Sequence, residues 1–576
     1  MKKIVFLALI VGYNLSAQSW QWGKRGGATD ALDTTSDLRQ EEVYKVVTDS
    51  NKNIYVLSAV GKNGLDIDGV TKVNYGGNLQ ITDVALASFA CDGTYRWSKI
   101  IGGDGYDRVT DLKIDSQDNI YIAGKFGDCG DVTYPPRIDS DIILSQNPID
   151  CSVIFIAKYN SSGALQWFKR PQPAGTSQTI GLGSTFSRGF ALDNAGNSFW
   201  LVQIPPGVYA NGAFTNTTTG NTLHIFKYDS MGTFVSATPI DIQLTAGFNS
   251  FLQFTRNPYN GYFYFTSPKT SSSGTAVVGG QTITHTVFLS CFNDLGQFQW
   301  VREDTATSLL GTVLLYNLEF DSSNNIYLGG RMLGLNSNTF LGLTIPGNTA
   351  PGFIMKVDPT AQNLIWSTYN NADALQRGAI AINGGEIGFT SICASSNFTW
   401  GTQTLNAGAN NEGNEVLLAR FNRTNGTCIQ LTKIPGDVSY DDNGTALAVD
   451  ASGDYILGGG CGHQLTFTTN SLTATGSQSD FFLAKYSTSV CSLATDTFLE
   501  EGLQFHPNPA DNYVILNVKE EMQYKIYSLT GSEVGSGIIS ENLNQIDIAT
   551  LASGCYLLQT ISVANGNTKT IKLLKK

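Results

Sequence analysis

Histidine and cysteine often do chemistry in proteins, and their spacing in this 576-residue chain limits what that chemistry could be. None of the four histidines has a second ligand at metal-binding spacing, and the chain contains no HExxH, GxSxG or CxxC motif. His224 and His285 fall in strand-like segments, where a hydrogen-bonded structural histidine is expected. We therefore predict no catalytic, cofactor-binding or metal-binding residues.

Aspartates recur in Asp-x-x-x-Asn turns, which resemble calcium loops because they cluster oxygen atoms. Each turn offers too few side chains for a site with six to eight ligands, and hairpin geometry explains the residues without a metal. Two kinds of catalysis are not excluded by the sequence: hydrolysis of a glycoside by a pair of carboxylates, and elimination by a lysine or tyrosine, as in a lyase. With 24 tyrosines in the chain, a candidate residue is expected by chance. No pair is singled out by its context, so we predict a protein that is not an enzyme.

The chain contains nine cysteines, an odd number that allows disulfides in an exported protein. Cys129 and Cys151 bracket a long insertion, and we predict a disulfide between them. Four cysteines lie in the last repeats, where spacing leaves the connectivity open: Cys393, Cys428, Cys461 and Cys491. Three lie in apolar strand-like runs, where a buried free thiol is expected: Cys91, Cys291 and Cys555.

The composition indicates which elements must position these residues. With 61 glycines, abundant aromatic residues and 15% charged residues, the chain favours many short strands joined by tight turns. We predict an all-β protein. The formal net charge of −12 argues against binding to nucleic acid, because phosphate recognition needs a basic surface.

The N-terminus has the features of a secretory signal peptide. Two lysines precede an apolar run at residues 4–11, and small residues follow before Gln18. We predict that residues 1–17 are removed by cleavage between Ala17 and Gln18. The apolar run is too short to span a bilayer, and no other stretch is predicted to be transmembrane.

Two segments alternate along the next part of the chain, seven times each. The first is the Asp-x-x-x-Asn turn before an aromatic strand, as in residues 115–121, and the second is an apolar strand, a glycine turn and a tryptophan, as in residues 155–167. The period of roughly 60–80 residues is typical of a propeller or a solenoid. The tryptophans at this place, Trp97, Trp167, Trp300 and Trp366, are expected to pack between repeats rather than bind sugars.

The two ends of the array favour a ring. The last copy, residues 481–486, lacks its tryptophan strand, and Trp22-Gly-Lys-Arg-Gly-Gly27 parallels the missing strand. Residues 19–490 thus resemble seven-bladed β-propeller repeat proteins, with the N-terminal strand completing the last blade. The resemblance implies a seven-bladed propeller and leaves its ligand undefined. Two inserts that break the repeat, 129–151 and 210–222, are expected to carry functional loops.

The C-terminal part has a different pattern. After a polar linker at residues 491–502, period-2 alternation predicts a small Ig-like β-sandwich over residues 503–576. The stretch resembles the type A C-terminal sorting domain of the type IX secretion system. The residues that carry the resemblance are Pro507, Asn508, Pro509, Gly531, Gly554 and Tyr556, followed by a lysine-rich end.

The resemblance implies that the type IX secretion machinery is a partner. It implies export across the outer membrane of a Gram-negative bacterium, removal of the domain, and release or attachment at the cell surface. We expect the propeller to be a non-catalytic binding or adhesion module for a glycan or a protein. The alternatives are a secreted polysaccharide-degrading enzyme, either lyase or hydrolase, and a structural component of the envelope or matrix.

Overall fold

A computed structural model describes most of the chain outside its N-terminal segment and its linker. The described ranges are 18–29, 41–76, 83–103, 107–127, 134–144, 153–171, 189–249, 252–334, 336–347, 350–373, 378–393, 397–406, 414–437, 441–475, 479–488, 491, 505–516, 518, 521–528, 532–541, 543–562 and 568–576. The chain divides into two compact units, Met1–Cys491 and Ser492–Lys576. The predicted cleavage residue Ala17 lies outside the described residues.

The described part of the first unit contains seven antiparallel sheets with four principal strands each. In chain order they are sheet 1 (Val43–Thr48, Ile54–Val60, Asp83–Phe89, Tyr95–Gly102), sheet 2 (Arg108–Ile114, Ile120–Lys125, Ile154–Tyr159, Leu165–Lys169), sheet 3 (Phe190–Leu192, Ser198–Ile204, Thr222–Tyr228, Phe234–Ile240), sheet 4 (Gln253–Arg256, Phe263–Pro268, Val287–Phe292, Phe298–Glu303), sheet 5 (Val313–Phe320, Ile326–Met332, Pro351–Val357, Leu364–Asp373), sheet 6 (Ala379–Asn383, Glu386–Cys393, Glu415–Asn422, Cys428–Ile434) and sheet 7 (Asn443–Val449, Tyr455–Cys461, Asp480–Ser487, Ser19–Gly27). The all-β class predicted from composition is confirmed.

Sheet 7 combines the two ends of the unit. Its fourth strand, Ser19–Gly27, pairs antiparallel with Asp480–Ser487, with Trp22 opposite Lys485 and Gly26 opposite Phe481. The prediction that the N-terminal strand completes the last sheet is confirmed. A strand without a partner would leave its backbone N–H and C=O groups unpaired, and the N-terminal strand removes that cost.

The first strands of the sheets form a closed series of contacts. Each contacts the next sheet in order, and the first strand of sheet 7 contacts that of sheet 1. Side chains reinforce these contacts by hydrogen bonding to the neighbouring backbone. The bonds are Phe190 N to Asp111 Oδ2 at 3.0 Å, Gln253 Nε2 to Leu315 O at 2.9 Å, Asn317 Nδ2 to Ile380 O at 2.9 Å, Ile380 N to Asn317 Oδ1 at 2.8 Å, and Thr48 Oγ1 to Val449 O at 3.0 Å.

Burial explains the sequence pattern of the strands. The second and third strands of each sheet read as nearly continuous apolar runs, because both of their faces are covered; every residue of Ile54–Val60 and Asp83–Phe89 is buried. The fourth strands alternate or are half-buried, as in Leu165–Lys169. Strands with two covered faces need apolar residues at every position, whereas an outer strand needs them on one face.

A short hairpin occurs in the connection between the second and third strands of every sheet. The hairpins are Asp66–Ile67 with Val70–Thr71, Arg137–Ile138 with Ile142–Ile143, Gly207–Tyr209 with Phe214–Asn216, Ala276–Val278 with Gln281–Ile283, Asn338–Phe340 with Leu343–Ile345, Phe398–Trp400 with Gln403–Leu405, and Gln464–Thr466 with Ser471–Thr473. Three of them pair directly with the fourth strand of the preceding sheet. The strand Ile242–Leu244, which follows sheet 3, pairs with the fourth hairpin.

Helical structure in the described residues is limited to single turns at Ala210–Gly212, Ala246–Asn249 and Leu309–Gly311. None of the described helices is long and apolar enough to cross a membrane.

The second unit contains two sheets around one core. The strands Phe505–His506, Tyr513–Leu516 and Gln545–Asp547 form one sheet, and Glu533–Ile539, Met522–Ser528, Gly554–Ser562 and Thr568–Lys575 form the other in that order. Val514 and Ile546 from the first sheet share a buried cluster with Ile526, Leu558 and Leu573 from the second. Two sheets that face each other across a core are the arrangement expected of a small sandwich.

Candidate functional site

The Asp-x-x-x-Asn turns join the first and second strands of a sheet. In sheet 2, Asp115 Oδ1 accepts the backbone N–H of Asn119 at 2.9 Å, and Asp115 Oδ2 accepts the hydroxyl of Tyr121 at 3.1 Å. Lys158 Nζ, from the third strand, lies 3.4 Å from Asp115 Oδ2. The two repeated segments therefore meet within one sheet, and hydrogen bonds and an ion pair use the carboxylate oxygens that a calcium site would need.

The recurring tryptophans pack between sheets, as predicted. Trp97 of sheet 1 donates its indole N–H to Ser161 O at 3.1 Å, and a Cβ at Gly163 would lie 2.7 Å from the Trp97 ring. Trp167 makes the same two contacts with sheet 3, through Ser230 O at 3.2 Å and the space at Gly232. A glycine in the turn of one sheet thus leaves room for the indole of the preceding sheet.

One disulfide is present in the described residues, between Cys91 and Cys491, whose Cα atoms are 5.6 Å apart. The prediction of a free thiol at Cys91 was wrong, because chain ends that are distant in sequence meet beside sheet 1. Cys491, which the sequence analysis places in the linker, is the last residue of the first unit. The free thiols are Cys291, Cys393, Cys428, Cys461 and the half-buried Cys555. Cys129 and Cys151 lie outside the described residues.

Two histidines pack against or pair with neighbouring side chains, and the two predicted functional inserts contain parts of the repeated hairpins. His224 is buried against the ring of Phe214, and burial lowers its pKa. His285 Nδ1 lies 3.1 Å from Glu303 Oε2. The inserts at 129–151 and 210–222 do not break the repeat in the described residues. They contain the hairpins, or parts of them, that occupy the same connection in every sheet.

Four charged side chains of the first strands define a central polar cluster. Lys45 comes from sheet 1, Asp111 and Lys113 from sheet 2, and Glu319 from sheet 5. The charges of Asp111, Lys113 and Glu319 all act on Lys45. Sheets 1 and 5 are not neighbours in the series of contacts, so this interaction joins first strands that are distant in that series. The sequence carried no motif for this cluster, because its members are spread over 275 positions.

Burial sets the electrostatics of the central polar cluster. Burial raises the pKa of Glu319 to about 7, although Lys113, Lys45 and a hydrogen bond from Asn317 each act to lower it. Burial also lowers the pKa of Lys45, and the charge of Lys113 lowers it further. Both shifts follow from placing charged groups where water is scarce. The cluster offers a carboxyl group and an ammonium group, each of which can hydrogen-bond a polar ligand.

Asp111 has a different role from Glu319. Its Oδ1 accepts the N–H of Leu112 at 3.0 Å, and its Oδ2 accepts the N–H of Phe190 at 3.0 Å. Lys113 Nζ lies 3.6 Å from Asp111 Oδ1. Two backbone donors and a nearby ammonium group stabilise the carboxylate, so Asp111 links sheets 2 and 3.

The sorting motif gathers around the last strand of the second unit. Asn508 Nδ2 donates to Lys572 O at 3.0 Å, and Asn508 Oδ1 accepts the N–H of Leu574 at 2.8 Å. Gly554 pairs with Lys575 in the ladder, and the hydroxyl of Tyr556 donates to Ala552 O at 2.9 Å. Pro507 and Pro509 flank Asn508, whereas Gly531 lies outside the described residues. The motif thus holds the C-terminal half of the strand Thr568–Lys575.

No three His, Cys, Asp or Glu side chains in the described ranges come together as a metal site. The chain has no significant match among curated proteins. Several solved structures align with it at low similarity. A protein of unknown function from Dyadobacter fermentans has 8% identity and a TM-score of 0.33, and the alignment covers 81% of this chain and 98% of that one.

PorZ, a surface component of the type IX secretion system of Porphyromonas gingivalis, has 10% identity and a TM-score of 0.19 over 95% of this chain and 100% of that one. A glycoside hydrolase of family 32 from Bifidobacterium adolescentis has 8% identity and a TM-score of 0.23, with 80% of each chain covered. At such TM-scores these likenesses carry no argument about fold or function.

The second unit does match a defined family. Residues 504–576 match the family described as "Secretion system C-terminal sorting domain". The match covers the segment in which Asn508, Gly554 and Tyr556 hold the last strand. Residues 504–576 are therefore a type IX secretion sorting domain, and the chain is a protein that is secreted or carried at the cell surface.

Proposed function

We propose that the first unit is a seven-bladed β-propeller that acts as a non-catalytic binding module at the cell surface or outside the cell. The closed series of contacts among the first strands supports the ring, since an open solenoid has no contact between its first and last repeats. The composite sheet 7 supports it as well, because a strand from one end of the unit completes the sheet at the other end.

The central polar cluster is the proposed binding site, and it is the observation that carries the function. Lys45 and Glu319 lie on first strands, half-buried, where the sheets of a ring face its axis. Their charged groups lie in a place where apolar packing would otherwise be expected, and Asn317 donates a hydrogen bond to Glu319. A polar ligand with hydroxyl or carboxylate groups, such as a glycan, would find both a donor and an acceptor there.

The same geometry argues against acid–base hydrolysis. Glycoside hydrolysis generally needs two carboxyl groups beside the scissile bond. Glu319 is one carboxyl group that a ligand could reach in the central polar cluster, whereas backbone N–H groups occupy both oxygens of Asp111. A single carboxyl group can anchor a sugar by hydrogen bonds without cleaving it.

One observation favours the alternative of a polysaccharide-degrading enzyme. A carboxyl group with a pKa of about 7 is suited to proton transfer at neutral pH, and burial places Glu319 in that range. Lys45, with its lowered pKa, could act as the base of a lyase. A binding module and an enzyme can therefore be distinguished by whether the protein releases cleavage products from a polysaccharide.

The test uses the full mature protein against a panel of immobilised polysaccharides and matrix proteins, with retention and new reducing ends or unsaturated products measured together. Glu319→Gln and Lys45→Met should each lower retention about 10-fold or more, as expected for a lost charged hydrogen bond. Asp294→Asn, an exposed change in a turn, is the control and should retain the ligand normally.

Retention without product, reduced by both variants, supports the binding module and identifies the ligand class as glycan or protein. Product release abolished by Glu319→Gln would instead establish the enzyme. No retention of any ligand by an abundant protein would favour the structural component of the envelope or matrix.

A further inference from the structure

Every first strand of the first unit ends at a turn, so its residues can be compared from sheet to sheet by counting back from that turn. The first turn residues are Asp49, Asp115, Asp193, Asn257, Asp321, Asn383 and Asp450. The near position lies two residues before the first turn residue, and the far position lies four residues before it. Side chains two apart on a strand point to the same side, so the two positions of one strand belong to one surface.

The near positions contain two charged residues, one acidic and one basic. In sheet order the near residues are Val47, Lys113, Ala191, Thr255, Glu319, Ala381 and Ala448. The ladders support this alignment, because the near residue of five sheets lies opposite an aromatic residue of the second strand, as Lys113 does with Tyr121 and Glu319 with Tyr327. Lys113 and Glu319 therefore occupy the same level of the first strands, on sheets 2 and 5.

Several far positions fasten one first strand to the next. In sheet order the far residues are Lys45, Asp111, Gly189, Gln253, Asn317, Ala379 and Ala446. The side chains of Asp111, Gln253 and Asn317 each hydrogen-bond the backbone of the following first strand, at 2.8–3.0 Å. Lys45 is the basic residue at this position, and the charge of Lys113 acts on it. Lys45 therefore adds a second ammonium group to that of Lys113.

Lys113 keeps hydrogen-bond donors for a ligand. Its side chain is 41% exposed, and its Nζ lies 3.6 Å from Asp111 Oδ1, which is longer than an ordinary hydrogen bond. The backbone N–H groups of Leu112 and Phe190 engage the two oxygens of Asp111. An ammonium group has three donors and no acceptor, so an anionic oxygen is the partner that suits Lys113.

Glu319 offers a hydrogen-bond acceptor on another sheet. Asn317 Nδ2 donates to its Oε1 at 3.2 Å, which leaves Oε2 for a ligand. The charges of Lys113 and Lys45 both act on Glu319, and in the described part of the chain no salt bridge joins it to either lysine. A ligand can therefore bridge the carboxyl group and the two ammonium groups.

Sheets 6 and 7 bring only alanine to the same surface. Their near and far residues form an alanine wall of Ala379, Ala381, Ala446 and Ala448. In the series of contacts these sheets lie between sheet 5 and sheet 1. In the proposed ring the alanine wall thus separates Glu319 on one side from Lys45 and Lys113 on the other. Alanine side chains have no hydrogen-bonding group, so the wall suits the C–H groups of a ligand better than a peptide backbone.

We propose that the ligand of the central polar cluster is a uronic acid residue of a glycan, an inference that deepens the proposed function and rests on it. The carboxylate of the sugar binds Lys113 and Lys45, its hydroxyl groups donate to Glu319, and its C–H face packs on the alanine wall. A neutral sugar would leave the two ammonium groups without an anion. An acidic peptide would leave backbone N–H and C=O groups unpaired against the alanine wall.

The formal net charge of −12 does not oppose this binding at physiological salt. Interactions between exposed charges more than about 8 Å apart are largely screened at about 0.15 M ionic strength. The ammonium groups that contact the ligand therefore contribute more than the distant acidic surface. Short sugars also carry fewer charges to that surface than a long polyanion does.

The test measures the Kd of the full mature protein for matched sugars by calorimetric titration in physiological salt. Trisaccharides of galacturonate, glucuronate and mannuronate are each compared with their methyl ester, which keeps the rings and hydroxyl groups and removes the charges. At least one acid should bind about 10-fold or more tightly than its ester, as expected for a charge-assisted hydrogen bond. Polyglutamate, an acidic peptide, should not bind.

Three variants separate the contacts of the sugar. Lys113→Met should reduce the preference for the acid over the ester at least threefold, because it removes an ammonium group that only the acid uses. Glu319→Gln should weaken the acid and the ester about equally, since both keep their hydroxyl groups. Lys24→Met removes a lysine from the fourth strand of sheet 7 and should keep the wild-type preference.

Equal binding of every acid and its ester would overturn the acidic ligand, as would tighter binding of polyglutamate than of any sugar. A preference that Lys113→Met leaves unchanged would overturn the placement of the carboxylate. If no trisaccharide binds while the panel of polysaccharides and matrix proteins does contain a retained ligand, the uronic acid is wrong and the binding module stands. If nothing in that panel is retained either, the proposed function itself fails.

Discussion

At the scale of single residues, the acidic side chains of the first unit are distinguished by their partners rather than by their type. Asp450 is buried with Lys485, Asp111 is held by backbone N–H groups, and Glu319 is half-buried with a raised pKa. Each arrangement offsets the cost of burial in a different way. The turn aspartates therefore stabilise the fold, whereas Glu319 is the residue that we propose for ligand binding.

The first prediction concerns the buried pair of Lys485 and Asp450, which lie 2.9 Å apart with side chains 1% exposed. Lys485→Met should lower the free energy of unfolding by about 3–5 kcal/mol, because it leaves a buried carboxylate without its counter-ion. Urea denaturation measures the change. Lys24→Met, which breaks a more exposed pair with Asp68, should cost about 0–1 kcal/mol. Equal losses in the two variants would contradict the prediction.

The second prediction concerns pH and Asp442, whose pKa is raised to about 7, first by burial and then by neighbouring carboxylates. The folded protein therefore holds a proton that the unfolded chain has already lost. Stability should fall as pH rises from about 4 to about 7, by at most about 1.4 kcal/mol per pH unit from this group, and level off above that range.

Asp442→Asn should flatten this part of the stability profile, since its side chain does not titrate. Urea midpoints measured between pH 4 and pH 8 give the profile. The exposed Asp294→Asn variant should follow the wild type. A slope that is unchanged in Asp442→Asn would mean that other groups cause the pH dependence.

At the scale of elements, the repeat works through matched positions on adjacent sheets. Trp97 and Trp167 of two fourth strands each meet a turn glycine of the next sheet, and the turn aspartate Asp115 meets a tyrosine and a lysine of its own sheet. The indole ring packs closely against the turn only if the turn residue beneath it has no Cβ. The same turn position has a positive φ, which also favours glycine. One glycine therefore satisfies a turn and an inter-sheet contact at once.

The third prediction separates those two demands. Gly163 has a φ of +81° and its Cβ would overlap the Trp97 ring, whereas Gly280 has a φ of +76° and open space around it. Gly163→Ala should lower the free energy of unfolding by about 2–4 kcal/mol, from backbone strain and overpacking together. Gly280→Ala should cost about 1 kcal/mol from strain alone. Denaturant midpoints of both variants, with equal m-values, provide the comparison.

At the scale of the whole first unit, two links join the chain ends. The strand Ser19–Gly27 pairs with Asp480–Ser487, and Cys91 of sheet 1 is bonded to Cys491, 400 positions away. A covalent link across so many residues restricts the unfolded chain strongly. The unit is therefore held together at its ends both by a ladder of hydrogen bonds and by a disulfide.

The fourth prediction follows from this disulfide. The double variant Cys91→Ser with Cys491→Ser should lose about 2–5 kcal/mol of stability, and reductant should destabilise the wild type to the same extent. Denaturation with and without reductant measures both. Cys291→Ser changes a free thiol and should leave the effect of reductant intact. A double variant that still responds to reductant would point to another disulfide.

Much of the fold could be predicted from sequence because its signals are local. Turn residues, apolar strands and the tryptophan strand recur at a steady period, and the unpaired last copy indicated that Trp22 and its neighbours complete sheet 7. The sorting motif around Asn508 is contiguous and was recognised directly. The sequence analysis did not predict the short hairpin between the second and third strands of each sheet. The strands of these hairpins are only two or three residues long, and their sequences differ.

The sequence alone determined the all-β class, the sorting domain, and the pairing of the N-terminal strand with the end of the repeat array. These conclusions depend on residue type and on short-range spacing. The tertiary structure decided the partner of Cys91 and the central polar cluster of Lys45, Asp111, Lys113 and Glu319. Their members are distant in sequence, and closure of the series of sheets brings them within reach of one another.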